Sequence, residues 1–149
     1  MRRTQLEERY QVIFQRDSST GVVVSEEWLE DDSRRPATAS GSFHRTDGPA
    51  LIIRDPVTGI AVYEGWYQHD EPHQGQGPAG TKRDPKTGNV VKEEWYQHGN
   101  RHRLDGPAIT NYNPTTGEVT TTSWRIEGKP VPEAQRPRTG ARRKTAPGP

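Results

Sequence analysis

The sequence predicts an all-β protein, a twisted antiparallel meander of about eight strands in which each repeat is one β-hairpin. Three observations carry this. Trp66-Tyr67-Gln68-His69 returns as Trp95-Tyr96-Gln97-His98, and Trp66, Trp95 and Trp124 stand 29 residues apart. A fixed period of that size marks repeat architecture. A turn that starts with Asp or Asn and ends in Gly precedes each Trp: Asp17, Asp55, Asp84 and Asn113 stand 11 residues before Trp28, Trp66, Trp95 and Trp124. The residues between turn and Trp alternate in character, as successive side chains of a strand face opposite ways.

The elements follow in order. Tyr10–Arg16 is β-branched and aromatic without a breaker, and reads as a strand. Asp17–Gly21 is a turn and Val22–Trp28 the returning strand, which makes this hairpin a divergent first copy. In Asp55-Pro56-Val57-Thr58-Gly59 and its equivalents, Asp or Asn bonds nearby backbone, Pro presets φ and Gly supplies the positive φ that closes the hairpin. One face of the returning strand carries Ile60, Val62, Glu64 and Trp66; the other carries Ala61, Tyr63 and Tyr67. The Trp face is expected to be the buried one, with Trp28, Trp66, Trp95 and Trp124 stacked in a cross-strand column.

A connector joins each hairpin to the next and ends in Gly-Pro-Ala at 48–50, 77–79 and 106–108, with Pro suited to a strand's first residue. Two connectors are short, with His73 and His102 seven residues after their Trp; the first carries an insertion over about 30–43, polar and small, which reads as a loop. Residues 1–9 form an N-terminal segment and 10–131 the repeat domain. The stretch 132–149 is too rich in Pro, Gly, Arg and Thr to build a core and is expected to be a disordered basic tail.

Composition narrows the function classes. Hydrophobic residues make up 28% and mean hydropathy is −1.10, so a thick core is excluded. Cysteine is absent, which removes disulfides, thiol catalysis and Cys-ligated zinc. The first residues lack the apolar core of a secretory signal, and no apolar run is long enough to span a bilayer, so the expectation is a cytoplasmic protein without membrane association. Arg136, Arg138, Arg142, Arg143 and Lys144 against Glu133 give the tail +4, which leaves the body at −3 within a net +1.

His44-Arg45-Thr46-Asp47-Gly48-Pro49-Ala50 recurs as His102-Arg103-Leu104-Asp105-Gly106-Pro107-Ala108, and the middle copy degrades to His73-Gln74-Gly75-Gln76-Gly77-Pro78-Ala79. His beside Asp invites a hydrolase reading. The structural reading has Asp bonding turn amides and holding His44 or His102, while Arg packs over an aromatic. Repetition favours it, since a catalytic site is needed once and a turn in every copy. His69/His73 and His98/His102 share a His-x-x-x-His spacing, but no helix presents it, so neither a metal nor a cofactor is assigned. The tail's basic residues form a candidate nucleic-acid contact, without the aromatic residues of a single-strand binder.

The motif Trp-Tyr-x-x-Gly-x-x-His-Arg-x-Asp-Gly-Pro-Ala followed by a Pro-x-Thr-Gly turn resembles repeats in small proteins of bacteria and their phages. More distantly it is similar to MORN (membrane occupation and recognition nexus) repeats, although the period here is longer. The resemblance implies an elongated antiparallel sheet used for protein contacts and carries no catalytic residues across. The expected function is a non-catalytic binding module, most concretely a phage- or mobile-element-encoded protein that binds and inhibits a bacterial defence complex, acting in the bacterial or phage-infected cell. Tyr63, Tyr67, Tyr96 and Arg103 are the expected partner-binding residues, and a homo-oligomer through the sheet is a further expectation. The alternatives are a nucleic-acid-associated protein using the tail, and a His/Asp hydrolase or metal-binding protein.

Overall fold

The computed structural model describes residues 10–30 and 41–138. The fold is all-β, as the period demands. β1 (Tyr10–Arg16) and β2 (Val23–Glu30) form the first hairpin, β3 (Leu51–Arg54) and β4 (Ala61–Gly65) the second. After a two-stranded ribbon, β5 (Tyr67–Gln68) with β6 (Glu71–Pro72), come β7 (Gly80–Arg83) and β8 (Val90–Glu94). A second ribbon, β9 (Tyr96–Gln97) with β10 (Asn100–Arg101), precedes β11 (Ile109–Tyr112) and β12 (Val119–Ser123). The third ribbon is β13 (Arg125–Ile126) with β14 (Lys129–Pro130). The hairpin strands form one open antiparallel sheet in the order β1-β2-β3-β4-β7-β8-β11-β12.

The hairpins are close copies in backbone detail. Asp17, Asp55, Asp84 and Asn113 each accept two backbone N–H bonds of 2.7–3.0 Å from the residues two and three positions on. Gly21, Gly59, Gly88 and Gly117 close these turns at φ of 72–74°, a left-handed conformation that glycine adopts without steric cost. Each hairpin shifts register at the same place, after Gln15, Ile53, Lys82 and Asn111. Between hairpins, Trp28, Trp66 and Trp95 each donate their backbone N–H to the carbonyl of the Ala that opens the next hairpin, all at 2.7 Å.

Two features differ from the sequence reading. The two short connectors and the stretch after Trp124 hold two-stranded ribbons, which the sequence reading did not assign. Each ribbon turns through two residues of positive φ, His69-Asp70, His98-Gly99 and Glu127-Gly128, the type I′ geometry that matches strand twist. The Trp residues do not stack in a column: each is half-buried, and among the described residues no ring contact joins one Trp to another. A full strand lies between successive Trp-bearing strands, which places them roughly 9–10 Å apart, beyond the aromatic contact range.

Burial is thin because the sheet is a single layer. Among the described residues the buried apolar ones are Leu29, Ala50, Ile52, Ala79 and Ala108, and three of these five are the Ala of Gly-Pro-Ala, 0–2% exposed. These alanines sit where the chain passes from ribbon row to sheet, and a larger side chain there would have to force the two apart.

Candidate functional site

The Arg of the His-Arg-x-Asp-Gly motif makes a clasp. Arg45 lies over the Trp28 ring at 3.7 Å and Arg103 over Trp95 at 3.8 Å. The Nε of each donates to the Asp two residues on, Asp47 at 2.8 Å and Asp105 at 2.9 Å. That contact with Arg holds both Asp carboxyls below their usual range. The glycine of the motif is required by this clasp: a Cβ on Gly48 or Gly106 would stand 2.6 or 2.7 Å from the guanidinium carbon. So Arg packs on the aromatic as expected, but Asp47 and Asp105 bond the Arg rather than hold the His. The middle copy has Gln74 and Gln76 in these places, and among the described residues no guanidinium covers Trp66.

The His of the motif is a latch between ribbons. Nδ1 of His44 accepts the backbone N–H of His69 at 3.2 Å, Nδ1 of His73 that of His98 at 3.3 Å, and Nδ1 of His102 that of Glu127 at 3.1 Å. The rings therefore pair across ribbons, His44 with His69 at 4.4 Å and His73 with His98 at 5.0 Å. The His-x-x-x-His pairs of the sequence do not form these contacts, because the neighbour in space is 25 residues away in the chain.

Glu30, His44 and His69 offer ligand atoms within 4.8 Å of one another. His69 Nδ1 and a Glu30 carboxylate oxygen are 2.9 Å apart. The Nδ1 lone pair of His44 already receives the His69 N–H, and a neutral imidazole has only one such lone pair. Binding a cation there would cost the latch, so the cluster is explained by the fold.

Tyr63, Tyr67 and Tyr96 gather on the opposite face of the sheet. The hydroxyls of Tyr63 and Tyr67 are 3.2 Å apart. Burial, the Tyr67 hydroxyl and the nearby Glu94 and Tyr96 push the Tyr63 phenol up. Arg101 donates to the Tyr96 hydroxyl at 3.2 Å and to Glu94 at 3.0 Å, and Lys92 reaches Glu94 at 3.1 Å. The three tyrosines are half-buried rather than exposed, since their rings and these charged side chains pack together where no second layer exists. Gly65 admits them: a Cβ there would lie 2.6 Å from the Tyr67 ring.

The expected tail 132–149 is described only over 132–138, with a turn of 3-10 helix at Glu133–Gln135. Arg136 donates to the Val131 carbonyl at 3.2 Å and stands 6.0 Å from the Trp124 ring. One of the five basic residues expected to form a nucleic-acid arm is thus placed against the last Trp. Arg138 is exposed. Arg142, Arg143 and Lys144, the segment 1–9 and the centre of the insertion at 31–40 lie outside the described residues. Among the described residues no helix is long and apolar enough to cross a membrane.

Three lateral junctions, the first between the segment Phe43–Arg45 and the first ribbon and the other two between successive ribbons, share one set of bonds, and the middle one has one bond fewer. Arg45 N–H reaches the Tyr67 carbonyl and Arg103 N–H the Arg125 carbonyl, both at 3.1 Å, whereas the equivalent bond from Gln74 to Tyr96 is absent. Asp70 N–H to Phe43 and Gly128 N–H to Arg101 measure 2.9 Å, and their counterpart, Gly99 N–H to Pro72, 3.3 Å. Sequence reasoning noted the degraded motif at 73–79 but had no means of seeing that this bond is missing.

No family model matches the chain, and no curated protein or solved structure does.

Proposed function

We propose that the protein is a non-catalytic protein-interaction module that presents its tyrosine-bearing sheet face to a partner protein. One observation supports this most: Tyr63, Tyr67, Tyr96, Arg101 and Lys92 form a half-buried cluster that no second layer covers among the described residues. Tyr and Arg on rigid strands are the residue types that concentrate binding energy in interfaces. The motif residues support the same reading. His44, His73 and His102 repeat one backbone contact, and Arg103, an expected partner-binding residue, lies over Trp95 and bonds Asp105. In its most concrete form the module is a small phage- or mobile-element-encoded inhibitor that docks on a bacterial defence complex, a form resting on the resemblance of the repeats and on size.

The test is affinity capture from a bacterial lysate with mass spectrometry, using the full chain, Tyr67→Ala with Tyr96→Ala, and a chain ending at 131. A partner retained by the full and shortened chains and lost by the tyrosine variant is the expected result. Loss on shortening alone, or nucleic acid as the only captured species, would replace this reading with the tail-dependent one.

A further inference from the structure

We infer that β1 is a dimer interface: two copies of this chain join their sheets by antiparallel pairing of β1 with β1 across a two-fold axis beside Ile13. This goes beyond the tyrosine-face reading and does not depend on it. β1 and β12 are the two ends of the open sheet. The outer edge of Gln11–Arg16 meets no strand among the described residues, so it presents backbone N–H and C=O groups to a further strand.

This edge lacks the devices that keep an exposed strand apart from others. Natural edges carry Lys, Pro, an inward charge or a bulge that turns them away. Tyr10-Gln11-Val12-Ile13-Phe14-Gln15 holds no charge and no Pro, and its register shift falls only at the end, after Gln15. Phe14 gives the clearest sign. It stands three residues before the turn Asp17, as Ile52 stands before Asp55 and Thr110 before Asn113. Ile52 and Thr110 have a strand on each side and are 8% and 4% exposed, whereas Phe14 has one on a single side and is 56% exposed. What covers this position elsewhere in the chain is a neighbouring strand.

That strand is β1 of a second copy. The other way to continue the sheet, β1 on β12 of a second copy as β11 lies on β8, is blocked. At each internal junction the docking strand follows the Ala whose carbonyl takes the Trp N–H. Beyond that Ala the lane belongs to the second strand of the preceding ribbon, which leads to His73 or His102, each with its N–H on the Trp carbonyl at 3.0 Å. After Trp124 the same lane is held by β14 and Val131, whose N–H meets the Trp124 carbonyl at 3.0 Å. The residue of β1 that corresponds to the Ala is Val12, and β1 runs on past it, Gln11 pairing with Leu29 and Tyr10 with Glu30. On β12 it would collide with β14. Pairing β12 with β12 would bring together only the polar side chains of Thr120–Ser123 and Val119. Two-fold pairing of β1 avoids the collision, because the Val12 end of one copy then lies beside the Arg16 end of the other. Centred on Ile13, the middle of the strand, it sets Val12 against Phe14 and Gln11 against Gln15 of the second copy, twice each. These are aromatic against β-branched and amide against amide, with no like charges opposed. Such a self-complementary contact closes at two chains.

Analytical ultracentrifugation of the full chain over a micromolar concentration series should show a reversible equilibrium between one chain and two. Phe14→Lys, at an exposed position, should weaken the pair at least tenfold with an unchanged circular dichroism spectrum, and Thr122→Lys should leave it as it is. The chain has no cysteine, so single Cys variants read the register. Ile13→Cys sets the two Cα atoms about 4.5–5.5 Å apart across the axis, within disulfide reach, and should cross-link two chains under mild oxidation. Gln15→Cys separates them by roughly 14 Å and should not. The inference is overturned if the chain sediments singly at every concentration, if a ladder of longer species forms, if Phe14→Lys leaves the pair intact or Thr122→Lys dissolves it, or if Gln15→Cys cross-links as readily as Ile13→Cys. Any of these would leave the interaction-module reading standing, since capture of a partner protein through the tyrosine face is measured separately.

Discussion

At the residue scale, each position that recurs between the repeats has one physical job, and the exceptions are informative. Hydrogen bonds from Ser19 and Thr20 lower the Asp17 carboxyl to about 2, and backbone bonds from Thr58 and Thr87 lower Asp55 and Asp84. A folded-state value below the unfolded one stabilises the protein above the ordinary carboxylate range, and the contribution is lost as pH falls through the folded value. For Asp17 the window is about pH 4 to 2. Asn113 makes the same two bonds with an amide oxygen that does not titrate in this range. Replacing Asp17, Asp55 and Asp84 together by Asn should therefore flatten the loss of thermal stability across this window; a melt series by circular dichroism measures it, and an unchanged slope would show that other carboxylates dominate. The clasp makes a second prediction. Gly106→Ala places a methyl 2.7 Å from the Arg103 guanidinium and expels it from Trp95. The expected cost is about 1 kcal/mol in urea unfolding, and Arg103→Ala added on top should cost little more, since both remove the same contact.

At the element scale, the hairpins were legible and the ribbons were not. A hairpin announces itself by alternation over four to eight residues and by a turn with its own chemistry. A ribbon of two residues per strand has no periodicity to read, and one ends in Pro72. The ribbon turns also place residues with a β-carbon at positive φ, His69, Asp70, His98 and Glu127, of which Asp and His are types that tolerate it and Glu is not. A left-handed conformation costs a residue with a β-carbon roughly 1–2 kcal/mol, and Asn bears it more easily. The lateral bonds to Phe43, Pro72, Arg101 and the His Nδ1 atoms offset that cost. Glu127→Asn keeps the backbone N–H that His102 accepts and creates the Asn-Gly pair favoured at such turns, so it should raise stability by about 0.5–1 kcal/mol. Thermal melts of the single variant check this. A fall in melting temperature would mean that the Glu127 side chain does work the backbone geometry does not reveal.

At the scale of the whole molecule, the strand pairing of each repeat among the described residues runs to its neighbours, and stability is spread along the sheet rather than held in a centre. Strand contacts run β2 to β3, β4 to β7 and β8 to β11, all antiparallel and with equivalent partners. In such an array stability approximates a sum of unit and junction terms. Inserting a second copy of residues 80–108 after Ala108 should therefore give a folded chain with the same β signature and a melting temperature no lower than that of the original. Loss of folding in this insertion would show that the ends depend on each other. By the same additivity, the bond missing at Gln74 costs only its own junction term.

The sequence by itself determined the hairpin repeat, the turn chemistry and an Arg packed over an aromatic ring, because these depend on residues close together in the chain or on a period that repeats them; that the ring is Trp came from the structure. It also exposed the degraded motif at Gln74 and Gln76, though without a consequence attached. Only the tertiary structure decided which His meets which, that the Trp residues stand apart, that Arg136 turns back onto Trp124, and that the middle junction lacks its closing bond. Those outcomes depend on the spacing between strands and on the packing of ribbon against ribbon, contacts between residues about 25 positions apart that no local pattern encodes.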